Sequence, residues 1–176
     1  MAPMLQFVDA GLRRGARLLF EHASFQIHPG QKVGVSGANG TGKSSLFALL
    51  QGELHADSGE IDVPADWRIA HVEQELVSSE QPAVEFVTDG DSGLRSLQDK
   101  LLAAERAGQH ERLAELHAAL EAIDGYSAGS RAARLLDGLG FGTDDLQRPV
   151  NAFSGGWRMR LNLARALMCR SDLLLL

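Results

Sequence analysis

Residues 37–44, Gly37-Ala38-Asn39-Gly40-Thr41-Gly42-Lys43-Ser44, match the spacing G-x-x-x-x-G-K-[ST] and decide the fold class of this chain. Before them, Lys32-Val33-Gly34-Val35-Ser36 reads as a strand. After them, Ser45-Leu46-Phe47-Ala48-Leu49-Leu50 reads as a helix. Strand, loop and helix in that order form the setting in which this motif becomes a phosphate-binding loop. Three glycines let backbone N–H groups turn inward around an anion at a helix N-terminus. Lys43 adds a mobile positive charge for β- and γ-phosphates. The Ser44 hydroxyl is placed to ligate Mg²⁺, a hard cation that prefers oxygen. At ordinary residue usage the pattern arises by accident in on the order of one chain in a hundred of this length. Lys32, Lys43 and Lys100 are the only three lysines, which makes an incidental lysine at the required position rarer. The loop is a nucleotide-binding loop.

The 176 residues suffice for one domain with a sizeable core, or for one domain plus a helical subdomain. Hydrophobic content of 44% and charged content of 23% are those of a soluble globular protein. A net charge of −6 gives no general attraction to nucleic acid or to an anionic membrane surface. No apolar run is long enough to span a bilayer, and Met1 to Gln6 has no basic segment leading into an apolar one. The single cysteine, Cys169, has no internal disulfide partner and is expected to be a small buried hydrophobe in a helix. Together these features point to the cytoplasm, with no membrane partner.

Outward from the loop, residues 4–28 read as β structure. Leu5-Gln6-Phe7-Val8 and Leu18-Leu19-Phe20 flank a turn containing glycine and arginine, and Ala23 to His28 alternates with period two. Glu60-Ile61-Asp62-Val63 and Arg68-Ile69-Ala70-His71-Val72 read as two further strands. From Ala83 to about Leu139 the chain is helical. Leu94, Leu97, Leu101 and Leu102 keep helical spacing, as do Leu113, Leu116, Leu120 and Ile123. Gly108-Gln109-His110 separates the two runs, which predicts a helical hairpin, and a third helix runs from Ala128 to Leu139. The organisation is an α/β core at 1–82, a helical subdomain with an arm-like hairpin at 83–147, and a closing helix and strand at 148–176.

A second motif lies at Ser154-Gly155-Gly156-Trp157-Arg158-Met159-Arg160. Ser154 is a suitable N-cap, and Leu161, Ala164, Leu167 and Met168 follow at helical spacing. Two glycines in a first turn cost about 1 kcal/mol each relative to alanine. Close approach of backbone amides to an anion would offset that cost. An ordinary capped helix fits the same residues, and on physics alone both readings stand.

Taken together, the chain resembles an ATP-binding cassette (ABC) domain, a P-loop NTPase with an antiparallel β subdomain and an inserted helical subdomain. Gly37 to Ser44 matches its Walker A loop, Ser154-Gly155-Gly156 the core of its signature motif, and Gln74 its Q-loop glutamine. SGGWRMR followed by Ala164-Arg165-Ala166 is similar to the ABC-F class, soluble proteins with tandem ABC domains that act on ribosomes. Arg148-Pro149 and the run to Leu176 are most similar to the YheS-type bacterial branch. The resemblance covers nearly the whole chain, as the front part of a first ABC domain.

That resemblance implies ATP and Mg²⁺ as ligands. Gly37, Asn39, Gly40, Thr41, Gly42, Lys43, Ser44 and Ser45 would bind the nucleotide. Ser44 and Gln74 would address the metal, and Lys43 and Gln74 would serve catalysis. Ser154, Gly155 and Gly156 would contact the γ-phosphate of a nucleotide held by a second ABC domain. The hairpin corresponds to the arm that reaches ribosomal components or tRNA in the class.

Three features depart from the pattern. The aromatic residue that stacks on adenine is replaced by Arg14, which either stacks on the base through its guanidinium or, with Arg13, is a solvated turn charge. The segment from Asp91 to Asp124 carries seven acids and four bases, a net charge of −3, so it lacks the basic stripe that phosphate neutralisation requires. Finally, Ser171 to Leu176 corresponds to the start of the Walker B strand. The carboxylates that bind Mg²⁺ and activate water would follow it. The expectation is therefore an ABC domain incomplete at its C-terminus and unable by itself to hydrolyse ATP, with Leu173 to Leu176 lacking a neighbouring strand. The ATPase subunit of a membrane transporter and a non-catalytic nucleotide-binding fragment stay open as alternatives; Trp157, where transporters commonly have glutamine, and the hairpin weigh against the first.

Overall fold

β1 (Leu5–Arg14) and β2 (Arg17–Ile27) form an antiparallel hairpin around Gly15-Ala16. β3 (Ser58–Asp62) pairs antiparallel with the other side of β1, which makes β1 the middle strand. The computed structural model describes residues 3–72 and 78–176. Leu5, Phe7, Ala10 and Leu12 of β1 are buried. Strict alternation would turn Ala10 and Leu12 outward. A bulge at Asp9, where φ is 50°, turns them back in and shifts the register between Phe7 and Ala10. β2 lies at the edge and is largely exposed. Leu18 to Phe20 and Ala23 to His28, two separate runs by sequence, belong to this one strand except for His28, which lies just past its end. Phe25 stands opposite Phe7, with ring centroids 4.3 Å apart.

The run Lys32–Ser36, expected as a strand, is not one: residues 31–38 have no regular structure, and Val33 and Val35 are 57% and 46% exposed. A strand is defined by its ladder, and no described segment pairs with these residues. α1 (Lys43–Leu50) follows the loop and buries Leu49 and Leu50. The opposite correction applies at the leucine run. β5 (Leu173–Leu175) does not lack a neighbour; it pairs with β4 (Ile69–His71), and Leu175 is buried.

The helical part contains α2 (Ala83–Thr88), α3 (Ser92–Arg106), α4 (His110–Ala122), α5 (Ala128–Gly138) and α6 (Gly155–Met168). Asp91 caps α3, its carboxylate accepting a 3.0 Å bond from the Leu94 N–H. α3 and α4 form the expected hairpin. Gly108, at φ 65°, ends α3, with its own N–H bonded to Glu105 O and the next N–H, of Gln109, to Ala104 O. Gly140 closes α5 with the same pair of bonds, to Asp137 O from its own N–H and to Leu136 O from Phe141. One apolar cluster joins Phe86, Leu94, Leu120, Leu136, Leu161 and Met168, so most of the residues that helical spacing singled out are inside, while Leu102 and Leu167 are exposed. Arg95 ties α3 to the end of α2 by donating to Asp89 Oδ1 at 2.6 Å and Glu85 Oε2 at 2.5 Å.

The chain divides into two compact units, Met1–Ile69 with Leu175 and Ala70–Leu174 with Leu176. Segments 83–147 and 148–174 both lie in the second. Cys169 is half-buried at the C-cap of α6 instead of buried within the helix, because the helix stops one residue earlier. Among the described residues, no helix is long and apolar enough to cross a membrane.

Candidate nucleotide-binding site

The loop before α1 takes a shape that only glycine reaches easily. Gly40 has φ 77° and Gly42 φ 103°, both left-handed, where a Cβ would be strained. Gly42 is the N-cap of α1 and contributes no capping side chain. The first-turn N–H groups, which have no partners inside the helix, are therefore left to an outside acceptor. Within the loop, the Thr41 hydroxyl donates to Ala38 O at 2.9 Å. A Cβ on Gly37 would lie 2.9 Å from that same hydroxyl, so a side chain there would have to displace it.

Lys43 turns back over its own loop. Its Nζ donates to Gly37 O at 2.7 Å and to Ala38 O at 2.9 Å. An ammonium on two carbonyls is a contact that phosphate oxygens can replace with stronger, charge-assisted bonds. Ser44 and Asn39 are exposed and Ser45 is half-buried. Gln74 lies outside the described residues. Among the described residues, no three His, Cys, Asp or Glu side chains are grouped to hold a metal. The Ser44 hydroxyl is an oxygen donor at a helix N-terminus, which suits a Mg²⁺ that arrives with most of its ligands supplied by phosphate and water.

β2 packs alternate residues toward this loop. A Cβ on Gly42 would lie 3.1 Å from Leu19 Cβ and 3.2 Å from its Cδ1. Two residues earlier, Arg17 places Nη1 3.5 Å and Nη2 3.9 Å from a Cβ position on Gly40. Arg14, the arginine singled out from sequence, is directly opposite Arg17 across the hairpin and exposed. The sequence reading passed over Arg17. No local signal marks it, because its approach to Gly40 depends on β2 meeting a loop more than twenty residues on.

In the second unit, Ser154 occupies the N-cap of α6, but its hydroxyl makes no capping bond, contrary to the role expected of it. Its backbone carbonyl accepts the Arg158 N–H at 2.9 Å, which starts the helix. Ser154 lines a hollow of about 320 Å³ with Asp145, Arg148, Phe153 and Trp157. The wall is stiffened by rings: Phe141 meets Trp157 edge-on at 4.7 Å, and the Arg148 and Arg160 guanidinium groups lie over Phe153 and Trp157 at 4.5 and 4.6 Å. A Cβ on Gly156 would meet nothing within 4 Å. Among the described residues, no contact requires a glycine there.

Comparison with known proteins fits this geometry. The family described as ABC transporter matches residues 20–176. The ATP-binding protein YheS of Escherichia coli K12 is 51% identical over 173 residues, covering 98% of this chain and 27% of its own. Its Haemophilus influenzae counterpart is 50% identical over the same length. Human ATP-binding cassette sub-family F member 3 is 41% identical over 170 residues, covering 92% of this chain and 23% of its own. Among solved structures, a protein from Pyrococcus furiosus assigned as the ATP-binding protein of an ABC transporter aligns with TM-score 0.68 at 17% identity, over 96% of this chain and 72% of that one. A chain assigned to a metal-chelate type ABC transporter in an inward-facing conformation aligns with TM-score 0.61 at 24% identity, over 96% and 56%. These likenesses show the ABC ATPase fold, and the chain spans about a quarter of the length of the curated relatives it matches. The chain belongs to the ATP-binding cassette transporter family, within its F class.

Proposed function

We propose that this chain is the nucleotide-binding part of an ABC-F protein that binds and hydrolyses ATP and acts on the ribosome during translation. The observation that carries the ATP reading is the loop itself: Gly40 and Gly42 in left-handed conformations, with the Lys43 ammonium held over the loop by two of its carbonyls. On binding, Lys43 exchanges those carbonyls for phosphate oxygens, while the first-turn N–H groups of α1 surround the phosphate. Ser44, together with Gln74, would hold Mg²⁺, which neutralises phosphate charge when bound.

Ser154, Gly155 and Gly156 are proposed to meet the γ-phosphate of a nucleotide held by a second ABC domain. The uncapped Ser154 hydroxyl and the open space around Gly156 support that role, since both leave room for a group from outside. Contact with the ribosome or tRNA is proposed for the α3–α4 hairpin on the strength of the F-class relationship. With a net charge of −3 from Asp91 to Asp124, this segment would use shape and a few placed arginines instead of a basic stripe.

Calorimetric titration of the full chain with ATP and Mg²⁺ tests the first part. Lys43→Ala should weaken binding by about ten- to a hundredfold, the worth of a charge-assisted hydrogen bond. Unchanged affinity would overturn the reading. Sedimentation with ribosomes that depends on ATP tests the second part, and sedimentation with membranes alone would overturn it.

A further inference from the structure

We propose that Arg17 is a second cation of the phosphate site, its guanidinium held over Gly40 so that it binds oxygens of the nucleotide's polyphosphate chain. This rests on the reading of Gly37–Ser44 as a nucleotide site. Lys43 is bonded to the carbonyls of Gly37 and Ala38. Arg17 approaches from β2, with Nη1 3.5 Å and Nη2 3.9 Å from where a Gly40 Cβ would be. Both nitrogens of the fork therefore lie close to the loop. That orientation suits two parallel N–H···O bonds to a phosphate, which a lysine cannot make.

Two further observations favour a ligand over a structural role. Among the described residues, no carboxylate forms an ion pair with Arg17, and no side chain accepts a hydrogen bond from it. Its ladder partner is Arg14, a like charge, so the hairpin end concentrates positive charge beside the loop. Leu19, two residues on, packs against Gly42 and fixes the strand's distance from the loop. Arg17 is thereby positioned without being neutralised. Gly40 fits the same picture: a side chain there would meet the guanidinium as well as requiring a left-handed backbone.

The test is calorimetric titration of the full chain and of its Arg17→Gln and Arg17→Lys variants with ATP, ADP and AMP, with Lys43→Ala as control. Arg17 is exposed, and matched circular-dichroism melting curves would establish that the variants fold. Arg17→Gln should weaken ATP and ADP binding about tenfold and AMP by less than about twofold, with Arg17→Lys recovering part of the loss. If Lys43→Ala loses ATP while Arg17→Gln keeps wild-type affinity, Arg17 is not part of the site and the nucleotide reading survives. Equal weakening for AMP and ATP would place Arg17 on the base or ribose and overturn the phosphate assignment. Failure of the wild type to bind any of the three would remove the underlying reading and this inference with it.

Discussion

A Cβ on Gly90 would overlap the carbonyl oxygen of Arg165, so the turn after α2 meets α6 at a point where only a hydrogen atom fits. Backbone, unlike the end of a long side chain, cannot move aside cheaply. Gly90→Ala should therefore destabilise the helical unit by about 3 kcal/mol, at the upper end of overpacking effects. The measurement is the urea midpoint of the chain, and an unchanged midpoint would mean that this turn and α6 do not approach so closely.

Gly156 is the opposite case. It lies in the first turn of α6 with nothing within 4 Å of a Cβ. Gly156→Ala should stabilise the helix by up to about 1 kcal/mol, since alanine restricts the unfolded chain and meets no obstacle. If the motif contacts a nucleotide on a second ABC domain, the same substitution should lower ATP turnover of the complete protein. A gain in melting temperature accompanied by unchanged turnover would leave the glycine without a function.

Leu94, in the first turn of α3, is fully buried and belongs to the central apolar cluster. Leu94→Ala should cost about 3 kcal/mol, through lost transfer energy and a residual cavity. Leu102, on the same helix, is 45% exposed, and Leu102→Ala should change stability by less than about 0.5 kcal/mol. Comparable losses from both would mean that the hairpin packs on its other face.

Asp9 and His22 sit across the β1–β2 ladder, each with positive φ, with His22 Nδ1 2.7 Å from Asp9 Oδ1. The hydrogen bond to Asp9, and then the attraction of its charge, raise the His22 pKa above 6.5. A group with a raised folded-state pKa stabilises fully below its unfolded value. That contribution is lost as pH rises through the folded one. The urea midpoint should accordingly fall as pH passes upward from 6.5 through the raised value, and the His22→Gln chain should lack that component. In an NMR titration, Asp9→Asn should return His22 toward its ordinary pKa; an unmoved titration curve would sever the pair.

Sequence alone determined what is local. The spacing of Gly37, Gly40, Gly42, Lys43 and Ser44 named the loop, and helix periodicity at Leu94, Leu116 and Leu120 named core residues, because both patterns are written within a few turns of chain. The nucleotide loop and the hairpin were legible for that reason. Tertiary structure decided everything that needs a distant neighbour. Lys32–Ser36 has strand composition but no ladder partner among the described residues, while Leu173–Leu175 found one in β4. A bulge at Asp9 set which residues of β1 face inward. Through the packing of β2 on the loop, Arg17 came to lie against Gly40, and Arg14 across the hairpin from it. Strand pairing and side-chain approach are made between segments far apart in sequence, and no local pattern encodes which segments will meet.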